Sequence, residues 1–142
     1  MKPKNILVPT DFGESAAEAL RQGRELAETF AATLHVLYVT QYPLKNGRAE
    51  VRRRKEQLGL ERLRSLFGPL EETRVKLVCR VGTPLVEIIE YAKANDIDLM
   101  VMGTHLRLPT PQMAMTSVTE NIVRQAPCPV LVVQGPPHEL VA

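Results

Sequence analysis

The residues of this chain that could do chemistry gather at the ends of its apolar runs. Asp11 closes the run Ile6-Leu7-Val8-Pro9-Thr10, where a carboxylate can accept hydrogen bonds from a ligand or cap and brace the following loop. Gly103 follows Leu99 to Met102. Without a Cβ it would let the backbone approach a phosphate, or merely let the chain turn. Ser117 opens a short helical stretch whose free N–H groups and dipole favour an anion. With Glu120 it also makes a capping-box pattern, which explains the pair equally well and puts a competing negative charge at the same spot. His105 and Arg107 would add positive charge to a phosphate if they did not point into solvent.

No catalytic constellation joins these residues. The chain has no G-x-S-x-G elbow, no G-x-x-x-x-G-K-[ST] loop and no HExxH. His35, His105 and His138 fall in a strand, a loop and the tail, with no nucleophile or metal ligand set beside them. Cys79 and Cys128 stand far apart in apolar runs, so they form neither a CxxC redox pair nor a zinc site. The expectation is a protein without catalytic residues or metal, with both thiols reduced and buried.

The elements that must position these residues alternate along the chain. Ile6-Leu7-Val8, Leu34 to Val39, Val75 to Val81, Leu99 to Met102 and Val130 to Val133 read as strands. Between them, 15–30, 48–67, 83–95 and 117–125 read as helices. The first has Ala16, Ala19, Leu20, Gly23, Ala27 and Phe30 along one face and a capping box from Ser15 to Glu18. The second takes Val51, Leu58, Leu63 and Phe67 as inner contacts and is weakened by Gly59. Thr83-Pro84 opens the third with a hydroxyl cap and a first-turn proline, and Leu85, Ile88, Ile89 and Ala92 face inward. Five strands alternating with four helices predict an α/β fold, a mainly parallel sheet with helices on both faces. If the strand order is 3-2-1-4-5, the order reverses between strands 1 and 4. Ligands bind such sheets beyond the carboxyl ends of their strands at that reversal, beside Pro9-Thr10-Asp11 and Gly103-Thr104-His105.

Composition narrows the function classes. The 142 residues suit one domain, 1–142, with a loose tail over 134–142. Eighteen basic against sixteen acidic side chains give a net charge of +2, no overall field for nucleic acid or a membrane. With three Phe, three Tyr and no Trp, stacking platforms for single strands are scarce. The segment from Lys45 to Arg64, with the block Arg52-Arg53-Arg54-Lys55, is the exception. It is either a solvated outer face paired with Glu50, Glu56 and Glu61 or a surface for anions. The N-terminus carries no signal-peptide pattern, and no run approaches the ~20 apolar residues of a membrane span.

Four segments in order resemble the universal stress protein family: Ile6-Leu7-Val8-Pro9-Thr10-Asp11-Phe12, Gly82-Thr83-Pro84, Asp98 to His105, and Ala126 to Val133. The resemblance implies a three-layer sandwich of five parallel strands, similar to the adenine nucleotide alpha hydrolases. It also implies a cytoplasmic stress-response protein and a homodimer formed through the last strands, here Val130, Leu131, Val132 and Val133. Members that bind ATP carry G-x2-G-x9-G-[ST] after strand 4. In this chain Gly103 and Ser117 match the first glycine and the closing hydroxyl, while Leu106 and Thr116 replace the second and third glycines. The motif is degenerate at its triphosphate end: a branched side chain intrudes, and Pro109 and Pro111 offer no N–H. Pro9, Thr10, Asp11 and Val39 keep the base and ribose end, so AMP or weak ATP binding is compatible with the pattern. Met113-Ala114-Met115 would then pack into the vacated phosphate space or present a soft surface. The expected function is a non-enzymatic dimer with weak or absent ATP binding that acts through a protein partner. The alternative is an adenine-nucleotide switch with at most slow hydrolysis.

Overall fold

A computed structural model describes residues 2–41, 49–67, 74–104 and 117–134. In chain order the elements are β1 (Asn5–Thr10), α1 (Glu14–Phe30), β2 (Thr33–Thr40), α2 (Ala49–Phe67), β3 (Val75–Val81), α3 (Pro84–Ala94), β4 (Leu99–Gly103), α4 (Ser117–Gln125) and β5 (Val130–Val133). The strands form one parallel sheet in the order β3-β2-β1-β4-β5, as expected from the sequence.

Strands covered on both faces must be apolar throughout, and the core shows why these are. Ile6, Val8, Leu34, Val36 and Val101 pack under α1 and α2 with Ala19, Leu20, Ala27 and Leu63. Their neighbours Leu7, Leu37, Met100 and Met102 pack on the opposite face with Ile88, Ile89, Tyr91 and Ala92 of α3 and Ile122 of α4. α1 lies over β1 and β4, and α2 over β2 and β3.

Local detail departs from the expectations at several points. α1 starts at Glu14 with Gly13 as its N-cap and no side-chain cap bond, so Ser15 is a buried first-turn residue rather than a capping one. Asp11 Oδ1 accepts from the Gly13 N–H at 2.8 Å and supplies the bracing instead. Thr83 is the N-cap of α3 with Pro84 behind it, yet its hydroxyl makes no cap bond. Phe30 is 40 % exposed. Cys79 and Cys128 are free thiols but half-buried.

The largest departure is the inner face of α2. Val51 and Leu58 are 38 % and 53 % exposed, whereas Gly59 and Leu63 are buried and Phe67 is half-buried. The face turned to the sheet is therefore Gly59-Leu63-Phe67, at i, i+4 and i+8. A Cβ on Gly59 would fall inside contact distance of Cys79 Sγ and 3.1 Å from Tyr38 Cδ2. Gly59 lowers helix propensity, but its missing side chain is what lets α2 sit down on β2 and β3.

His35 is a core residue. It is 2 % exposed, with Nδ1 2.7 Å from Tyr91 Oη and Nε2 3.0 Å from Asn5 Oδ1. An amide oxygen only accepts, so Nε2–H donates to Asn5 and the Tyr91 hydroxyl donates to Nδ1. The ring is neutral: burial, with Lys76 alongside, pulls its pKa from 6.5 to about 4.

Two predictions follow from this packing. Gly59→Val should destabilise the fold by about 1–3 kcal/mol in urea unfolding, while Leu58→Ala costs well under about 1 kcal/mol. Equal costs would return Leu58 to the core. For His35, the unfolded chain binds the extra proton between pH 6.5 and about 4, so the folded state is favoured fully above that window and loses stability as pH falls through it. Melting curves should show a shallower decline over that window in His35→Gln than in the natural chain; parallel declines would mean the imidazole does not titrate there.

Candidate functional site

β1 and β4 diverge at their carboxyl ends because one feeds α1 and the other α4 on the opposite face. The gap is a cleft of about 430 Å³. Pro9, Thr10 and Asp11 wall it from β1, Tyr38, Val39 and Thr40 from β2, Gly103 from β4, and Val118 and Thr119 from α4. Of the residues singled out by sequence, Pro9, Thr10, Asp11, Val39 and Gly103 meet around this one cleft. Ser117 opens α4, which supplies part of the wall. Thr116, Leu106, His105, Arg107 and residues 113–115 lie outside the described residues, as does His138.

The loop leaving β1 is built by its own side chains. Thr10 Oγ1 accepts from the Phe12 N–H at 3.0 Å, and Asp11 Oδ1 accepts from Gly13 as described. These two short bonds fold the backbone so tightly that Phe12 adopts φ 64°, the left-handed region, at a cost of about 1–2 kcal/mol for a residue with a Cβ. The Phe12 ring offsets that cost. It meets Tyr38 edge-on at 4.7 Å and lies 4.0 Å beneath the Arg62 guanidinium. Asp11 thus braces the loop and lines the cleft; the two roles weighed for it are compatible.

Gly103 has a reason that sequence could not supply. A Cβ there would collide with the backbone carbonyl of Ser15 and lie 2.7 Å from its Oγ. The glycine lets the first turn of α1 close against the end of β4. Thr119 Oγ1 donates to the Gly103 carbonyl at 3.5 Å from the other side. Beyond Gly103, the Thr104 hydroxyl is buried and has no hydrogen-bond partner among the described residues. Ser15, Tyr38 and Thr119 were missed because their approach to the cleft depends on strand register and helix seating.

The chemistry on offer is that of recognition. Among the described lining residues Asp11 is the one with a formal charge, and hydroxyls, an amide, carbonyls and apolar walls make up the rest. Burial pushes the Cys79 thiol up to about 11, with Glu56 adding to it, and raises the Cys128 thiol as well, so neither is an activated nucleophile. Among the described residues no three metal-capable side chains cluster, and no helix is long and apolar enough to cross a membrane.

Comparison with known proteins agrees with this architecture. The universal stress protein family model matches residues 2–134. A universal stress protein of Methanocaldococcus jannaschii is 31 % identical over 96 % of this chain and 85 % of its own length. One from Methanothermobacter thermautotrophicus is 34 % identical over 92 % and 95 %. Among solved structures, universal stress protein UspA from Lactobacillus plantarum superposes with a TM-score of 0.74 at 25 % identity, covering 94 % of this chain and 99 % of its own. A universal stress protein crystallised in complex with cAMP gives a TM-score of 0.73 at 20 % identity, covering 96 % of this chain and all of the other. With its segments in register, its strand order reproduced and these relatives spanning nearly its whole length, the chain belongs to the universal stress protein family.

Proposed function

We propose that this chain is a non-enzymatic, cytoplasmic stress-response homodimer whose cleft accepts the nucleoside end of an adenine nucleotide, holds ATP weakly and signals through a protein partner. The observation that carries the proposal is the composition of the cleft wall. Its described part offers a carboxylate, hydroxyls, backbone and apolar surface, which suit a ribose and a base, but no cation for a triphosphate. The sequence supports the same division, with Leu106 and Thr116 where the ATP-binding pattern has glycines. Two residues with a Cβ at positions that favour φ > 0 keep backbone N–H groups from converging on phosphate oxygens. The cAMP complex of a protein with this fold is consistent with an adenine nucleotide as the ligand class.

The homodimer is proposed from the sheet edge. Among the described residues β5 is hydrogen-bonded along one side only, to β4, and Leu131 is 40 % exposed. An unpaired apolar edge strand is a template for a second copy.

A second reading, a nucleotide switch with tight ATP binding and slow hydrolysis, draws on the same cleft and on the match at Gly103 and Ser117. Calorimetric titration separates the two. AMP and ATP should bind within about tenfold of each other, with dissociation constants of about 0.1–1 mM. Low-micromolar ATP binding would establish the switch instead. For the dimer, Leu131→Asp should move the sedimenting species from dimer to monomer without lowering the melting temperature appreciably. A surviving dimer would place the interface elsewhere.

A further inference from the structure

We infer that Arg62 and Tyr38, through the ring of Phe12, are positioning residues that fix the Asp11 carboxylate at the cleft. The inference rests on the ligand-binding reading above and extends it to α2, which supplies none of the cleft's lining residues.

A left-handed residue reverses the chain, so the neighbours Asp11 and Phe12 serve different layers: Asp11 lines the cleft, while Phe12 packs against the core cluster beneath α1 and α2. Asp11 and its bond from the Gly13 N–H flank the Phe12 turn, so a change in that turn displaces the carboxylate. The bonds from Thr10 Oγ1 and Asp11 Oδ1 close that turn locally, and both come from an exposed or half-exposed loop where water competes for the same donors. Side-chain packing of Phe12 is therefore what distinguishes the observed conformation from the relaxed ones.

That packing is anchored from two directions. Tyr38 is the register partner of Thr10 across the β1–β2 pair, and its ring fills the space beside Gly59. Arg62 stands between two buried features of α2, three residues after Gly59 and one before the fully buried Leu63. Its guanidinium makes no salt bridge among the described residues and lies instead over the Phe12 ring at 4.0 Å. A guanidinium on an aromatic face is a directional contact, and it spans from the seat of α2 to the loop that carries Asp11.

The Gly13 amide reports on the device without any ligand, because its N–H is held by Asp11 Oδ1. We would measure its hydrogen-exchange rate by NMR in the natural chain, in Arg62→Gln and in Arg62→Lys, with the Thr104 amide, bonded to the Val133 carbonyl, as a distant control. In parallel AMP would be titrated into each protein. Arg62→Gln should speed Gly13 exchange and weaken AMP by roughly two- to fivefold, leaving Thr104 unchanged, and Arg62→Lys should restore most of both. Unchanged Gly13 exchange in Arg62→Gln, or an equal rise at Thr104, overturns the inference. If AMP fails to bind even the natural chain, the proposed function falls, while the exchange comparison still decides whether Arg62 positions the loop.

Discussion

The cleft hangs from the carboxyl end of β1, a strand held on both edges and both faces. β1 is paired with β2 along its whole length and with β4 on its other edge, and Ile6, Leu7 and Val8 are fully buried. A strand covered on both faces and both edges leaves its side chains no freedom to slip, since a one-residue shift would exchange the two core layers. The consequence is positional. Thr10 and Asp11 leave the sheet at a place set by the rigid interior, and the divergence of α1 and α4 opens the cleft beside them. Two glycines at which a Cβ would collide with a neighbour defend this arrangement: Gly103 against Ser15 joins β4 to α1, and Gly59 against Cys79 seats α2.

These same contacts show what sequence can and cannot express. The strands were legible because a buried parallel strand has to be a continuous apolar run, and the runs here are separated by stretches with a helical period. Their order was not written in those runs and entered as a condition, with the family resemblance behind it. Given that order, its reversal fixes which strand ends face the cleft, so Asp11 and Gly103 follow from topology, whereas Val39 came from the resemblance alone. The inner face of α2 was legible only in part. Leu63 and Phe67 do turn inward as expected, but Val51 and Leu58 are exposed and Gly59 takes the inner place, because proximity to the sheet is worth more than the burial of one further leucine. Likewise the hydroxyls of Ser15 and Thr83 looked like caps, and neither caps; at α1 the Asp11 turn takes over the work. Such substitutions depend on where a neighbouring element ends, which no local pattern encodes.

On the proposed function, the cleft would keep the nucleoside half of a nucleotide site's chemistry and lack the phosphate half. The nucleoside side is held up by residues the fold needs anyway: Gly103 for its contact with Ser15, Thr10 and Asp11 for the turn into α1. Removing them would cost stability whether or not a ligand binds. Of the three glycines in the ATP-binding pattern, the one that is kept, Gly103, has this second use, while Leu106 and Thr116 stand at the other two positions. Retention of Asp11 and Gly103 is therefore weak support for nucleotide binding, and the change at the phosphate side is the more informative of the two.

The basic block at the start of α2 gains a different meaning from the same geometry. Read as a charge run, Arg52-Arg53-Arg54-Lys55 suggests a surface for anions. In the fold, Arg52 donates to the Val81 carbonyl at 3.4 Å and stands 3.8 Å from Glu56, and Lys55 donates to the Gln41 carbonyl at 3.4 Å. The ion pair is exposed and adds little. The two carbonyl contacts matter more, because they lie at the carboxyl ends of β2 and β3, and Gln41 itself borders the cleft. Two of the four cations thus tie the first turns of α2 to the rim of the sheet, and Arg62 does the same one layer further along, through Phe12. The positive charge of this helix is in large part structural, holding in register the strand ends on which the cleft is built.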